Sequence, residues 1–181
     1  MLLVATDVRF EEHDAGRGHP ERPDRVRAVL DGLDAGAPRD ARRRLAPRRA
    51  TRADRAALLA TDAAAFEEFW RFDALALREA ARATPRSHLR VATAPPGPSG
   101  YGLFGQAGAA GYVQRLAVAP EVQRRGLGHA LLSDGLRWLG SHGAKRVYVN
   151  TQEDNDRALA LYLRAGFRQL PVGLHVLGRE L

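Results

Sequence analysis

The sequence lacks cysteine altogether, and Lys145 is the single lysine among its 28 basic residues. Without cysteine there are no disulfides and no thiolate zinc sites, which fits a cytoplasmic protein. No apolar run reaches the roughly 18 residues that a membrane-spanning helix needs, so no membrane partner is expected. The N-terminus has no basic region and already carries Asp7 and Glu11. A signal peptide is therefore not expected either.

The charge is strongly of one sign. The 181 residues carry a formal net charge of +7, almost all of it on arginine. A solvated basic surface explains this, and so does attraction to an anionic ligand such as a nucleotide cofactor. Nucleic-acid binding through the arginines of residues 42–55 is a third interpretation, but no recognised binding motif supports it. The length allows one domain with a short appendage.

The chain divides into two unequal parts. Residues 1–43 contain a strand candidate at residues 2–8, a helix candidate at residues 23–33 and a linker with glycine, proline and a basic run. This part is too short for a core of its own, and we expect it to be poorly ordered or docked on the rest. Residues 44–181 carry the longer pattern of alternating elements.

The second part predicts a mixed sheet with helices on its faces, an α/β (α+β) fold. Thr51 and Asp54 mark the start of a helix that runs through Leu59. Residues 66–83 form a second helical region, and Pro85 stops it. PPGPSG is predicted to be a loop, and the segments on either side of AGAAG form an antiparallel hairpin. The predicted order is β-α-α-β-β-β-α-β-α-β-β, with helices at 126–141 and 155–164 and final strands in FRQL and GLHVLGREL. Gly166 is expected to end the second helix in the left-handed conformation. Five leucines mark the inner side of the first helix, at positions 127, 131, 132, 136 and 139.

The stretch QRRGLGHALL, residues 123–132, places two glycines at the mouth of a predicted helix. The first N–H groups of a helix have no intrahelical partner and carry partial positive charge. Glycines at this point let an anion such as a diphosphate approach them closely. The spacing matches neither G-x-G-x-x-G nor a Walker A loop. Taken alone, the pattern is also that of a structural turn.

A second motif follows about 30 residues later, in NDRALALYLRAGF, residues 155–167. The pair Q-R-R-G-x-G-x-A and N-x-x-A-x-x-x-Y-x-x-x-G-F closely resembles the GNAT superfamily of acyl-CoA-dependent N-acetyltransferases. The resemblance covers residues 45–181. It implies the GNAT fold, with acetyl-CoA as cosubstrate lying between two strands that splay apart, those of residues 116–118 and 147–149.

The same resemblance implies where the cosubstrate contacts the chain. The backbone of one strand would pair with the pantetheine arm, the glycine loop would hold the diphosphate, and two residues of the second motif would line the thiol end. The implied cofactor-binding residues are Leu116, Ala117, Val118, Gln123, Arg124, Arg125, Gly126, Leu127, Gly128, His129, Ala130, Asn155 and Ala158.

Tyr162 of the second motif is the expected catalytic residue. A phenol within reach of the departing CoA sulfur acts as general acid. The alternative is a half-buried tyrosine packed with Leu159, Leu161 and Phe167.

The general base and the acceptor are left open. The predicted strand GYVQRLAV offers Gln114 and Arg115 at the positions where a carboxylate could act as general base. The other acidic candidates for the base are more simply interpreted as solvated surface residues: Glu67, Glu68, Asp73, Glu153 and Asp154. Water is the remaining candidate for the base. The aromatic residues Phe66, Phe69, Trp70 and Phe72 either line the acceptor pocket or fill the core.

A different resemblance marks residues 11–33. His13, Gly16, Gly18, His19 and the following P-E-R-P-x-R are similar to the opening of the histone deacetylase and acetylpolyamine amidohydrolase family. Deacetylase activity is not implied, because none of the six histidines follows an aspartate in a D-x-H element, and no metal is expected.

The sequence therefore predicts an N-acetyltransferase that moves an acetyl group from acetyl-CoA to a primary amine, either a protein N-terminus, a lysine or a small amine. The alternative is an acyl-CoA sensor or regulatory module with little turnover. The chain is expected to be a monomer or a homodimer.

Overall fold

The computed structural model describes residues 2–7, 46–95, 97–152 and 154–173, with the backbone alone for 2–7 and 171–173. The helix predicted at 23–33, the linker, the deacetylase-like segment and the last predicted strand lie outside the described residues. So does the boundary at residues 43 and 44, which stays a prediction. None of the helices in the described ranges combines the length and apolar character that crossing a membrane requires.

The described elements follow the predicted alternation of strands and helices. The helices are α1 (Arg55–Ala65), α2 (Ala74–Arg82), α3 (Leu127–Ser141) and α4 (Asp156–Arg164). The strands are β1 (Leu2–Asp7), β2 (Arg48–Arg49), β3 (Arg86–Ala94), β4 (Gly97–Ala107), β5 (Ala110–Val118), β6 (Arg146–Thr151) and β7 (Arg168–Gly173).

All seven of these strands form one sheet in the order β2-β3-β4-β5-β6-β1-β7. Neighbouring strands are antiparallel except β5 and β6, which are parallel. Strand β1 pairs with β6 along its whole length, from Leu2 opposite Thr151 to Asp7 opposite Arg146. The first strand of the chain therefore lies inside the sheet, between two strands from its other end.

The predicted hairpin of β4 and β5 is confirmed, with Gly108 at φ 57° in its turn. The prediction of a loop over PPGPSG is wrong for its last four residues, because β4 already begins at Gly97. Here β4 pairs with β3, with Pro98 opposite Thr93, while its ladder with β5 extends only to Gly100 opposite Val118 and one further bond joins the Ala119 N–H to the Ser99 carbonyl (2.9 Å).

The helix start predicted near Thr51 and Asp54 is confirmed. A 3-10 turn over Arg52–Asp54 leads directly into α1, which runs past the predicted end at Leu59 to Ala65. The Asp54 carboxylate accepts hydrogen bonds from the Thr51 N–H (2.7 Å) and the Arg48 guanidinium (2.8 Å). These bonds hold the pKa of Asp54 well below its usual range.

The single helical region predicted over residues 66–83 is wrong in its first half. Residues 66–73 form an extended segment with one 3-10 turn, and α2 begins only at Ala74, with Asp73 as its N-cap. The Phe72 N–H donates to the Asp62 carboxylate (2.7 Å) instead of to a helical carbonyl. The hydrogen bond to the Asp62 side chain thus replaces the bond that a helix would have made within the backbone. The sequence pattern did not reveal this exchange.

The two faces of the sheet are covered by different helices. Helices α1 and α2 contribute Leu58 and Leu77 to a core cluster with Val91, Tyr101 and Leu103. The opposite face holds α3 and α4, and the five leucines predicted on the inner side of α3 are all buried. They and their partners form two further clusters around Phe104, Val147, Tyr162, Phe167, Leu127 and Leu131.

Helix α3 packs so closely on β4 that no side chain fits at Gly135. A Cβ atom at this position would lie 2.2 Å from the Phe104 ring, whereas one at Gly140 on the same helix would meet nothing within 4 Å.

We predict that Gly135→Ala lowers the free energy of unfolding by about 1–3 kcal/mol, because the Phe104 ring must move within a packed core. The matched variant Gly140→Ala should leave stability unchanged or raise it by up to about 1 kcal/mol through helix propensity. Urea unfolding of both variants checks this. Equal effects of the two would contradict the close packing.

Candidate functional site

A cleft opens where β5 and β6 part. The two strands pair in parallel from Ala110 opposite Arg146 to Val113 opposite Val149, and no pair follows within the described residues. At this point β5 has a bulge, since Leu103 pairs with Arg115 and Phe104 with Val113, which leaves Gln114 unmatched. A bulge bends its strand and increases the local twist. The cavity beside it has a volume of about 1040 Å³.

The loop before α3 lies at one end of this cavity. Two of its residues, Arg124 (φ 62°) and Gly126 (φ 88°), have left-handed backbone conformations. Gly126 is the N-cap of α3, and Ala130 is the first residue whose N–H bonds back to it (2.9 Å). The preceding N–H groups are those that a helix leaves without intrahelical partners, and the helix dipole gives them partial positive charge. This end of the cavity is suited to an anion.

Gln123, one of the predicted cofactor-binding residues, makes two hydrogen bonds within the protein. Its side-chain amide donates to the Val118 carbonyl (3.0 Å), and its amide oxygen accepts from Arg157 on α4 (3.1 Å). Gln123 therefore links β5 to α4 across the mouth of the cleft. Both of its polar atoms, and the Val118 carbonyl, are engaged within the protein.

Most of the cofactor-binding residues implied by the sequence lie on the cavity wall. Arg125 and Ala130 do not: Arg125 is exposed and donates to the Glu121 carbonyl, and Ala130 has its N–H inside the helix. The predicted residues on the wall are Leu116, Ala117, Val118, Gln123, Arg124, Gly126, Leu127, Gly128, His129, Asn155 and Ala158.

Asn155 is on the wall as the N-cap of α4, because its side-chain oxygen accepts from the Ala158 N–H (3.1 Å). Two other sequence expectations about this helix are confirmed: it ends at Arg164, and Gly166 follows in the left-handed conformation (φ 84°).

Tyr162 extends from α4 to the cavity wall and is only 5% exposed. Its ring packs against Phe167, with centroids 5.5 Å apart. Burial raises the pKa of Tyr162 above that of an ordinary phenol, because a phenolate would lose its hydration here, and the charge of Arg115 lowers the pKa by less. The hydroxyl is therefore protonated at neutral pH.

The acidic candidates for a general base do not reach the cavity. Glu67, Glu68, Asp73 and Asp154 are exposed and stand away from its wall, and Glu153 lies outside the described residues. Within the described part of the chain, Asp156 is the only acidic residue on the wall. No cluster of three metal-ligating side chains occurs in that part either.

Three of the four predicted aromatic residues line the far end of the cavity. Phe66, Trp70 and Phe72 are on the wall, and they come from the extended segment between α1 and α2. Phe69 is 76% exposed and contacts the edge of Trp70, so it belongs neither to the wall nor to the core.

A buried ion pair connects this aromatic segment to β5. Arg115 Nε and Nη2 each donate to one oxygen of Asp62 (2.8 Å), and Nη2 also donates to the Trp70 carbonyl (2.6 Å). Asp62 is fully buried and also accepts from the Tyr101 hydroxyl (2.5 Å). The Arg115 guanidinium lies 3.5 Å from the ring centre of Phe66. These contacts fix both the arginine and the wall.

Sequence reasoning missed Asp62 and did not recognise what Arg115 and Arg157 do. One signal was present: Asp62 stands four residues after the buried Leu58, on the inner side of α1. A charge on an inward face needs a buried partner. Nothing local indicated that the partner is Arg115, which is 53 residues away.

The fold and the cleft define the class of protein: one with a mixed α/β sheet whose strands part beside a helix N-terminus. The chain belongs to the acetyltransferase (GNAT) family, because the model of that family matches residues 56–167, more than half of the chain.

Comparison with curated proteins finds matches over a limited segment. The chain is 47% identical over 57 residues to the mycothiol acetyltransferase of Clavibacter michiganensis, which is 32% of this chain and 19% of that protein. The chain thus spans about a fifth of the length of the curated relatives it matches.

Solved structures share the fold. The ribosomal-protein-S18-alanine N-acetyltransferase from Escherichia coli aligns over 67% of this chain and 76% of that chain, with a TM-score of 0.60 and 20% identity. The enzyme AAC(6')-Iy, solved with a bisubstrate analogue that contains CoA, aligns over 75% of this chain and 98% of that one, with a TM-score of 0.58 and 14% identity.

We predict that Asp62→Asn lowers the free energy of unfolding by about 3–5 kcal/mol, because it leaves the Arg115 charge buried and unpaired. The control is Glu79→Gln, which removes the exposed pair of Arg78 and Glu79 (3.6 Å) and should change stability by less than about 1 kcal/mol. Denaturant unfolding measures both. A loss below 1 kcal/mol for Asp62→Asn would show that the pair does not hold α1 on the sheet.

Proposed function

We propose that this protein transfers an acetyl group from acetyl-CoA, the acyl donor of its family, to a primary amine. The observation that carries the proposal is one cleft with three features: an anion-binding helix N-terminus, an unpaired strand edge and a buried tyrosine. Each feature suits a different part of the reaction, and all three lie on the wall of the same cavity.

The anionic end of the cosubstrate fits the loop before α3. The helix N–H groups around Gly128 would bind a diphosphate, and Arg124 and Arg157 add positive charge to the same wall. Successive residues of a strand turn their backbone groups to opposite edges, so Leu116 presents its N–H and C=O to the edge that β6 has left while Ala117 faces β4, and the Leu116 groups are available to a pantetheine arm. Gln123 positions this region by joining Val118 to Arg157.

Tyr162 is suited to protonate the leaving group. When the amine nitrogen bonds to the acetyl carbon, the carbon–sulfur bond breaks and the thiolate needs a proton. Burial raises the pKa of Tyr162, so the phenol keeps its proton until the departing sulfur takes it, and the same apolar surroundings favour a protonated thiol over a thiolate. The phenolate then regains the proton that the amine releases.

Water is the base that fits this wall. The acceptor amine must be neutral to attack, and Asp156 is the single carboxylate on the described part of the wall. Solvent water in the open cleft is therefore the group that takes the proton of the ammonium.

An acyl-CoA sensor with little turnover is the second candidate. It is favoured by one observation, that Asp156 is the only acidic residue on the described wall. Acetyl-CoA titration together with an amine screen separates the two functions. Turnover with any primary amine supports the enzyme, and micromolar binding without turnover supports the sensor.

We predict that Gly128→Ala weakens CoA binding at least tenfold and leaves the fold intact. The added methyl group would meet only Leu161 (3.5 Å) and Val118 (3.6 Å), which are ordinary contact distances. It would, however, point into the cleft and keep a diphosphate from the helix N–H groups, whose charge-assisted bonds are worth about 1.5–3 kcal/mol each. Calorimetry gives the affinity, with Gly140→Ala as the control. Unchanged affinity would place the diphosphate elsewhere.

We predict that Tyr162→Phe lowers kcat by roughly 10²–10⁴-fold, the usual range for general acid catalysis. Acetyl-CoA affinity should stay nearly the same, because the ring and its packing on Phe167 are kept. Steady-state kinetics and calorimetry measure the two quantities. A kcat equal to that of the wild type would leave Tyr162 a packing residue only.

A further inference from the structure

Arg115 is a wall residue whose side chain is held from three directions. Its Nε and Nη2 donate hydrogen bonds to Asp62, and Nη2 donates a second one to the Trp70 carbonyl. The ring centres of Phe66 and Phe72 lie 3.5 and 4.1 Å from the guanidinium carbon. Its side chain is 11% exposed. An arginine fixed in this way presents any remaining donor in a set direction, with little entropy left to lose on binding.

One donor group of Arg115 does remain. All of its hydrogen bonds to described residues come from Nε and Nη2, which leaves the two N–H groups of Nη1. Arg115 lines the cavity, and its charge acts on Tyr162, so the guanidinium and the phenol border the same space. A charged donor of a residue on this wall gains a hydrogen bond when the acceptor places an oxygen beside it.

We propose that Arg115 is the residue that recognises the acceptor: its Nη1 donates to a carbonyl-type oxygen, amide or carboxylate, carried close to the reacting amine. The inference rests on the proposed function. It assigns the acceptor to the class of amino acids, their amides and peptide N-termini, and it excludes simple alkylamines and polyamines as preferred acceptors.

The rest of the wall agrees with this class. Phe66, Trp70 and Phe72 offer apolar surface for a side chain next to the amine. A polyamine would need carboxylates for its further charges, and Asp156 alone supplies one among the described wall residues. Asp62 balances the charge of Arg115, so the site does not depend on a carboxylate in the acceptor and accepts a neutral amide oxygen equally.

The simpler interpretation is that Arg115 only ties α1 to β5. A structural role predicts loss of stability on substitution, with all acceptors affected alike. A recognition role predicts that the preference between two acceptors changes. The ratio of affinities for an acceptor with and without the oxygen separates the two roles, because folding and general damage cancel in it.

The experiment is calorimetry of the full chain saturated with CoA, titrated with L-phenylalaninamide and with phenethylamine, which lacks the carboxamide. We expect the amide to bind about tenfold more tightly, the size of one hydrogen bond to a charged donor. L-phenylalanine is titrated in parallel, and its affinity relative to the amide shows which oxygen is preferred.

The preference is then measured in variants. The double variant Asp62→Asn with Arg115→Gln removes both charges together, so that neither is left buried alone. Arg115→Lys keeps the charge but loses the planar guanidinium whose separate nitrogens donate to Asp62 and to the acceptor. In the double variant and in Arg115→Lys, the ratio of the affinity for L-phenylalaninamide to that for phenethylamine should fall to about one. The control is Tyr101→Phe, which removes another donor to Asp62 and does not line the cavity; here the ratio should stay about tenfold.

Three results would overturn the inference: equal binding of amide and amine by the wild type, a tenfold ratio that survives in the double variant, or no binding of any of these ligands while CoA binds normally. Failure to bind CoA at all is a distinct outcome, which would reject the proposed function and the inference with it.

Discussion

The end of hydrogen bonding between β5 and β6 at Val113 and Val149 is the constraint on which the site depends. A sheet whose strands stay paired offers no backbone donors or acceptors inside it. Here the bulge at Gln114 bends β5 away, and one strand edge becomes available in the middle of the sheet rather than at its rim. The loop before α3 and the inner face of α4 then border a single cleft.

The second requirement is that the parted strands stay apart without exposing the core. On one side α1 is held on β5 by the pair of Asp62 and Arg115, whose polar atoms are almost all engaged. A buried pair contributes little net stability compared with apolar packing. It does hold the aromatic segment of Phe66, Trp70 and Phe72 in one position on the wall, so the pair supports the shape of the pocket more than the stability of the fold.

On the other side β6 is held by β1, paired along all six residues from Leu2 to Asp7. The family match begins at residue 56, so this support comes from outside the matched segment. The β6 side of the cleft thus depends on a strand 139 to 149 residues away in sequence, as the registers of Asp7 opposite Arg146 and Leu2 opposite Thr151 show. Such distant pairing has a large loop-closure cost, which the sheet's packing must offset.

Much of this could be predicted from residues alone, and the reason is local. The leucine spacing of α3, the alternation and turn of the hairpin, the N-cap at Asn155 and the left-handed Gly166 each depend on interactions within one or two turns of chain, so their signals are written in adjacent residues. The two motifs located the loop and Tyr162 for the same reason.

Tertiary structure alone decided that residues 66–73 are extended and bonded to Asp62 rather than helical. It also decided that Gln123 bonds to Val118 and Arg157, and that Arg115 borders the pocket. Those outcomes depend on partners brought together by the sheet from distant parts of the chain, where a hydrogen bond or a charge pair outweighs the local preference of the backbone.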